Sequence, residues 1–172
     1  RWKRQFLLIE ALNLVKNEFK LDIPKTYIVG PIFDNKYFTE LNELIVKYNL
    51  VNYVEITGPI PKDEAYYLLK NAIATFSLYD FTNLGNVFLE SLSMGGLMVA
   101  INEENSLDLI SNDCYIQVSG ELVQVLAEKI KSILTQQDSF KEIRTKAIEF
   151  SHSKIDTWEN RVLREKQIIM NV

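Results

Sequence analysis

The sequence predicts an α/β domain in which a Rossmann-like parallel sheet carries helices on both faces. Short apolar runs alternate along the chain with segments whose apolar residues recur at helical spacing. The strand-like runs are largely apolar, as expected for parallel strands that are covered on both faces. The chain has 172 residues, of which 47% are apolar and 24% charged, and this is enough for one domain with a substantial core.

The first half of the chain contains three predicted helices and two predicted strands. Apolar periodicity predicts helices over about 5–19, around 38–48 and over about 62–71. The runs 26–29 and 51–56 are rich in β-branched and aromatic residues and are predicted strands. Each is followed by a Gly-Pro pair. Proline cannot donate to a strand ladder, so these pairs mark where the strands end.

The second half continues the same alternation. It comprises a strand over 73–78, a loop over 79–84, a helix over 85–94, strands over 97–101 and 115–118, and helices over about 120–135, 138–151 and 155–170. Before the last strand, Leu107, Leu109 and Ile110 indicate a turn or short helix. Ligands of such sheets bind at the carboxyl ends of the strands, so the loops after 29, 56, 78 and 101 share one rim.

Composition excludes several classes of function. A net charge of −4 and the absence of a basic cluster give no electrostatic reason to expect nucleic acid. The single cysteine, Cys114, excludes an internal disulfide and is predicted to be a small buried filler. The single histidine, His152, leaves no plausible zinc cluster and is predicted to lie in a linker between helices.

Residues 83–90, NLGNVFLE, form the most informative stretch of the chain. Small and amide residues that open a helix after a buried strand present free backbone N–H groups, which suit phosphate or sugar oxygens. Glu90 lies about one turn inside the helix, where it can accept hydrogen bonds from ligand hydroxyls. Asn83 and Asn86 have helix capping as an alternative role. The pattern favours a nucleotide-sugar as ligand.

Three segments carry a resemblance to a known family. They are KRQFLLIEA at 3–11, VEITGPI at 54–60, and SLYDFTNLGNVFLES at 77–91, followed by Gly95. Together they resemble the C-terminal, donor-binding domain of the retaining group 1 glycosyltransferases of the GT-B fold. The resemblance implies a two-domain enzyme that binds its donor in this half and its acceptor in the other half.

The resemblance also implies roles for particular residues. Lys3 would bind the donor diphosphate, and Glu90 would bind the ribose hydroxyls. The loop and the start of the helix would bind the sugar and the phosphates. The candidate substrate-binding residues are therefore Lys3, Gly58, Ile60, Thr82, Asn83, Leu84, Gly85, Asn86, Val87 and Glu90. The alternative for Lys3 is a solvated residue before a helix, and for Glu90 an exposed helix residue. No catalytic residue is assigned.

Thr82 departs from the family pattern, which has the first glutamate of a pair at that position. Threonine can still hydrogen-bond a sugar hydroxyl, but it offers no anionic stabilisation to an oxocarbenium-like transition state. Asp80 is close enough in sequence to substitute in part. Either a divergent donor sugar or weakened catalysis would explain the change.

These observations lead to a functional expectation. The chain is expected to bind a UDP- or GDP-linked sugar, without metal or other cofactor, for transfer to a glycan or glycolipid at the cytoplasmic membrane face. A nucleotide-sugar-binding module that has lost transfer is the alternative, and a receiver-like scaffold with no small ligand is a third reading. The full-length protein is expected to be cytoplasmic, with possible peripheral membrane association.

The resemblance further predicts that residues 1–172 are a fragment, which alone would bind weakly and transfer nothing. The acceptor domain would precede it, together with a first strand between those at 26–29 and 73–78. The final helix would reach toward the other domain, leaving Val162, Ile168 and Ile169 without partners here.

Overall fold

The computed structural model describes residues 2–79, 85–101, 110–155 and 158–170, the last range without the side chain of Trp158. Seven α-helices and five β-strands lie in these ranges. In chain order they are α1 (Gln5–Asn17), β1 (Thr26–Val29), α2 (Asn35–Lys47), β2 (Val54–Gly58), α3 (Lys62–Asn71), β3 (Thr75–Ser77), α4 (Asn86–Ser93), β4 (Met98–Ile101), β5 (Ile116–Val118), α5 (Leu122–Thr135), α6 (Lys141–Lys154) and α7 (Trp158–Met170), with a short 3₁₀ helix (Gln137–Phe140) before α6.

All pairings among these strands are parallel, as predicted. β1 pairs with β2, with Thr26 opposite Val54, and β3, β4 and β5 form a second sheet in that order. In the part of the chain that the structure describes, β1 and β3 are not paired with each other. The carboxyl ends of all strands within each sheet therefore face the same way.

Strand β4 separates two apolar cores, and this places helices on both faces of the sheet. Its residues Val99 and Ile101 belong to a core that includes buried residues of α1, α2 and α5. Met98 and Ala100 alternate with them and belong to a second core with residues of α4 and α6. All four β4 side chains are buried, which confirms the predicted two-sided covering.

Several predicted boundaries differ from the structure. The second strand begins at Val54 rather than at residue 51, because the carbonyl of Leu50 accepts hydrogen bonds from the N–H groups of Tyr53 and Val54 and closes a turn. The third strand covers only Thr75–Ser77. His152 lies exposed in the last turn of α6, so its placement in a linker was wrong.

Other predictions can be followed at single residues. Cys114 is 1% exposed, as predicted for a buried filler, and its burial beside Asp113 raises its pKa to about 11. Ile110 is buried, whereas Leu107 and Leu109 lie outside the described residues. In α7, the side chains of Val162, Ile168 and Ile169 are exposed, as expected.

Candidate functional site

The segment before α1 lies beside the carboxyl end of β3. The ring centroids of Trp2 and Tyr79 are 5.1 Å apart, and the Lys3 ammonium nitrogen is 5.6 Å and 6.0 Å from those two rings. Tyr79 follows β3 by two residues, and burial raises the pKa of its hydroxyl. Lys3 is therefore held beside the carboxyl end of β3.

Lys3 also lines a cleft of about 120 Å³ at the carboxyl ends of β1 and β2. The walls of this cleft include Val29 and Gly30 after β1, Ile56 of β2, and Trp2. A lysine at the rim formed by three strand ends can supply positive charge to an anionic ligand there. Lys3 itself is half-buried beside Trp2 and Tyr79.

The carboxyl ends of β1 and β2 are tied together through Gly58. Its carbonyl oxygen accepts a hydrogen bond from the Gly30 N–H at 3.0 Å and another from the Thr57 hydroxyl at 2.8 Å. Gly58 is buried and Ile60, two residues later, is half-buried. Both lie at the predicted rim, and Ile60 leads directly into α3.

The start of α4 is open. Gly85 is the N-cap in an extended conformation, and no side chain among the residues that the structure describes caps the helix. The first helical hydrogen bond is donated by the Phe88 N–H to the Gly85 carbonyl at 3.0 Å, so the Asn86 and Val87 amides precede it. Asn86 is the first helical residue rather than the cap, so its alternative capping role was wrong.

Glu90 is half-buried, and its carboxylate is held between helices. Its Oε1 accepts a hydrogen bond from the Tyr66 hydroxyl of α3 at 3.3 Å. The Lys62 ammonium lies 5.1 Å from the centroid of the Tyr66 ring. A hydrogen bond with Tyr66 and, to a smaller extent, the charge of Glu90 raise the pKa of Lys62. Glu90 is thus not a simple exposed helix residue.

The remaining predicted residues, Thr82, Asn83 and Leu84, and the possible substitute Asp80, lie outside the described residues. Residues missed from the sequence are Trp2, Tyr79, Tyr66 and Lys62. Trp2 could have been found from the sequence, because it is an aromatic residue directly next to the predicted ligand Lys3. The pairing of Tyr66 with Glu90 joins residues 24 positions apart, and no local pattern indicates it.

Comparison with known proteins identifies the family. A model of the glycosyl transferases group 1 family matches residues 1–150. The chain belongs to this family. No curated relative matches the chain.

Solved structures of glycosyltransferases share the fold. Anabaena HepE, in complex with UDP and glucose, aligns with a TM-score of 0.79 at 21% identity, over 99% of this chain and 44% of that one. A variant of Staphylococcus aureus TarM aligns with a TM-score of 0.80 at 20% identity, over 100% of this chain and 34% of that one. The C-terminal domain of a group 1 family protein, LpcC of Francisella tularensis, aligns with a TM-score of 0.74 at 14% identity, over 89% and 80%.

The fold is therefore that of the C-terminal half of a GT-B glycosyltransferase. The chain spans less than half the length of the HepE and TarM structures but most of the LpcC domain. Two further findings concern only the ranges that the structure describes. No group of three or more His, Cys, Asp or Glu side chains there could hold a metal ion, and no helix there is suited to crossing a bilayer.

Proposed function

We propose that this chain is the donor-binding domain of a retaining hexosyltransferase, which binds a nucleotide-diphosphate sugar for transfer to a glycan or glycolipid. The observation that carries the proposal is the open start of α4, with Glu90 half-buried one turn further along the same helix. The structures of HepE contain UDP-glucose in one case and UDP with glucose in another. The shared family makes the same class of donor reasonable here.

The diphosphate would bind between the start of α4 and Lys3. The Asn86 and Val87 amides and the positive end of the helix dipole favour anionic oxygens. The Lys3 ammonium, beside the end of β3, would neutralise charge that develops on the leaving diphosphate. These two sources of positive potential would allow binding without a metal ion.

The nucleoside would bind at the rim next to α3. Glu90 would accept hydrogen bonds from the ribose hydroxyls, and Gly58 and Ile60 would lie beside the base. The sugar itself would contact Thr82, Asn83, Leu84 and Gly85. With Thr82 in place of a glutamate, sugar recognition would rely on neutral hydrogen bonds rather than on a second carboxylate.

The whole protein would contain more than this chain. An acceptor domain would close the cleft, and a strand from upstream residues would lie between β1 and β3, which are unpaired with each other among the described strands. We propose a cytoplasmic protein, with peripheral membrane association where the acceptor is a lipid. Residues 1–172 alone would bind donor weakly and transfer nothing.

Calorimetric titration with UDP, GDP and their sugars tests the binding. We expect heat with one nucleotide series, and at least a roughly tenfold weaker affinity in Glu90→Gln, because a hydrogen bond to a charged group is lost. Glu43→Gln, which changes an exposed glutamate of α2, is the matched control and should leave the affinity unchanged. Absence of heat with every nucleotide would refute the proposal.

A binding module that has lost transfer is the second candidate, and Thr82 is the observation that favours it. An assay of the full-length protein for donor hydrolysis and transfer distinguishes the two. Detectable turnover of the donor would reject the module. Binding without turnover, and turnover gained in Thr82→Glu, would support it.

A further inference from the structure

The hydrogen bond between Tyr66 and Glu90 joins two helices at the candidate ribose site. Tyr66 lies in the middle of α3, and its hydroxyl is 3.3 Å from Oε1 of Glu90 on α4. Both side chains are half-buried. A carboxylate held from a neighbouring helix has less rotational freedom than one on an open helix face.

The hydroxyl contacts one carboxylate oxygen, Oε1. A carboxylate offers about four acceptor positions on its two oxygens, so the second oxygen remains available to a ligand. A vicinal diol needs two acceptor positions in a fixed orientation. A carboxylate whose rotation is already restricted loses less entropy when it accepts them.

Lys62 supports the same arrangement. Its ammonium lies 5.1 Å from the Tyr66 ring centroid, one helical turn earlier on α3, within the range of a cation–π interaction. This interaction favours one position of the ring. The positive charge also lies close enough to Glu90 for the carboxylate to raise the pKa of Lys62.

We propose that Tyr66 is a positioning residue that fixes the Glu90 carboxylate for the ribose hydroxyls of the donor nucleotide. This inference rests on the proposed function, because it assigns a support to the ribose contact. It assigns α3, and not only α4, to recognition of ribose.

The test compares the affinities of a nucleotide and its 2′-deoxy analogue. UDP and 2′-deoxy-UDP, and in parallel GDP and 2′-deoxy-GDP, are titrated into the protein, Tyr66→Phe, Tyr67→Phe and Glu90→Gln. Tyr67 is the matched control, because it is the next residue of α3 and is 67% exposed. Tyr66→Met provides a second removal of the hydroxyl, and thermal unfolding verifies that each variant is folded.

We expect the unmodified protein to prefer the ribonucleotide by roughly tenfold, and Tyr66→Phe to reduce this preference to roughly threefold or less. Tyr67→Phe should retain the full preference, and Glu90→Gln should lose it. In the Glu90→Gln background, Tyr66→Phe should have no further effect on the ratio.

Two results would overturn the inference. If Tyr66→Phe and Tyr66→Met weaken both nucleotides equally, or change neither, Tyr66 has only a packing role, while the preference lost in Glu90→Gln would still support the proposed function. If the unmodified protein binds no nucleotide, both the inference and the proposed function are rejected.

Discussion

The two ends of α4 differ in how their backbone groups are satisfied. At the carboxyl end, the Gly95 and Gly96 N–H groups donate to the carbonyls of Leu92 at 3.0 Å and Ser91 at 2.8 Å. The Arg144 side chain donates to the Gly95 carbonyl at 3.2 Å. At the amino end the N-cap is Gly85, and no side chain in the described ranges caps the helix.

Side-chain burial in α4 begins at its third residue. Phe88 and Leu92 are buried in the core shared with α6, and Ser91 is fully buried, whereas Asn86 and Val87 at the amino end are exposed. The helix is therefore packed through Phe88, Ser91 and Leu92, and its first two residues lie at the surface. This leaves the N–H groups of the first turn available to a ligand without loss of the fold.

The largest effect should come from Gly96→Ala at the carboxyl end. A Cβ at Gly96 would lie 2.9 Å from the Ser91 carbonyl oxygen and would also meet the Ser91 hydroxyl. Because the neighbour is backbone, we expect the free energy of unfolding to fall by about 3 kcal/mol. Urea denaturation measures the change.

Gly120→Ala is the control for that substitution. Gly120 has a φ of +80°, but nothing lies within 4 Å of a Cβ built there. Its cost is therefore backbone strain alone, about 1 kcal/mol. Equal losses in the two variants would contradict tight packing at the end of α4.

Arg144→Met should cause the next largest loss of stability. The guanidinium of Arg144 donates to the carbonyls of Gly95 and, at 2.6 Å, Ile73. Methionine preserves much of the apolar part of the arginine side chain but leaves both carbonyls without this donor. We therefore expect the free energy of unfolding, measured by heat or urea, to fall by about 2 kcal/mol. Arg161→Met, which removes an exposed ion pair in α7, should cost at most about 0.5 kcal/mol. A similar loss in both variants would argue against a structural role of Arg144.

Asn86→Asp should affect stability and binding in opposite directions. An aspartate in the first turn interacts favourably with the helix dipole, which should stabilise the fold by about 0.5 kcal/mol. The same charge would repel a diphosphate, so the affinity for UDP or GDP should fall roughly tenfold. Calorimetry and thermal unfolding measure the two effects on the same sample.

Ser93→Asp serves as its counterpart at the other end of α4, where Ser93 is exposed. There a negative charge is unfavourable to the dipole and remote from the proposed ligand. The variant should be slightly destabilised and should bind normally. Unchanged nucleotide affinity in Asn86→Asp would remove the first turn of α4 from the proposed diphosphate site.

The smallest effect concerns pH and Cys114, which lies in the core that α4 shares with α6. Burial raises its thiol pKa from an ordinary value of 9.0 to about 11. The protonated thiol therefore contributes stability below pH 9.0, and this contribution is lost as the pH rises toward about 11. Cys114→Ala should flatten the fall in unfolding free energy over that interval; an unchanged profile would assign the pH dependence to other groups.

Much of the fold was predictable because its signals are local. β1 over 26–29 and α3 over 62–71 were predicted with the boundaries that the structure has, since strong periodicity ends at Gly-Pro pairs or begins just after one. The start of β2 was predicted three residues early. Apolar and polar residues alternate from Val51 to Tyr53 as they do in a strand. In the structure these residues belong to the turn that follows α2.

The site was predictable only in part. Residues 85–90 were expected to open a helix with a carboxylate one turn inside, and α4 has that form. The neighbours of Lys3 and Glu90 were not expected. Trp2 and Tyr79 meet only because the segment before α1 packs against the end of β3, and periodicity along one segment carries no information about such a contact.

The sequence by itself determined which segments form helices and strands and their order, because these depend on side-chain spacing within a few turns or pleats. The family followed from the resemblance of three sequence segments to known glycosyltransferases and from the match to the family model. Tertiary packing decided that Tyr66 contacts Glu90 and that Arg144 donates to the carboxyl end of α4. These contacts join residues 24 and 49 positions apart, and they form only when the helices pack against each other and the sheet.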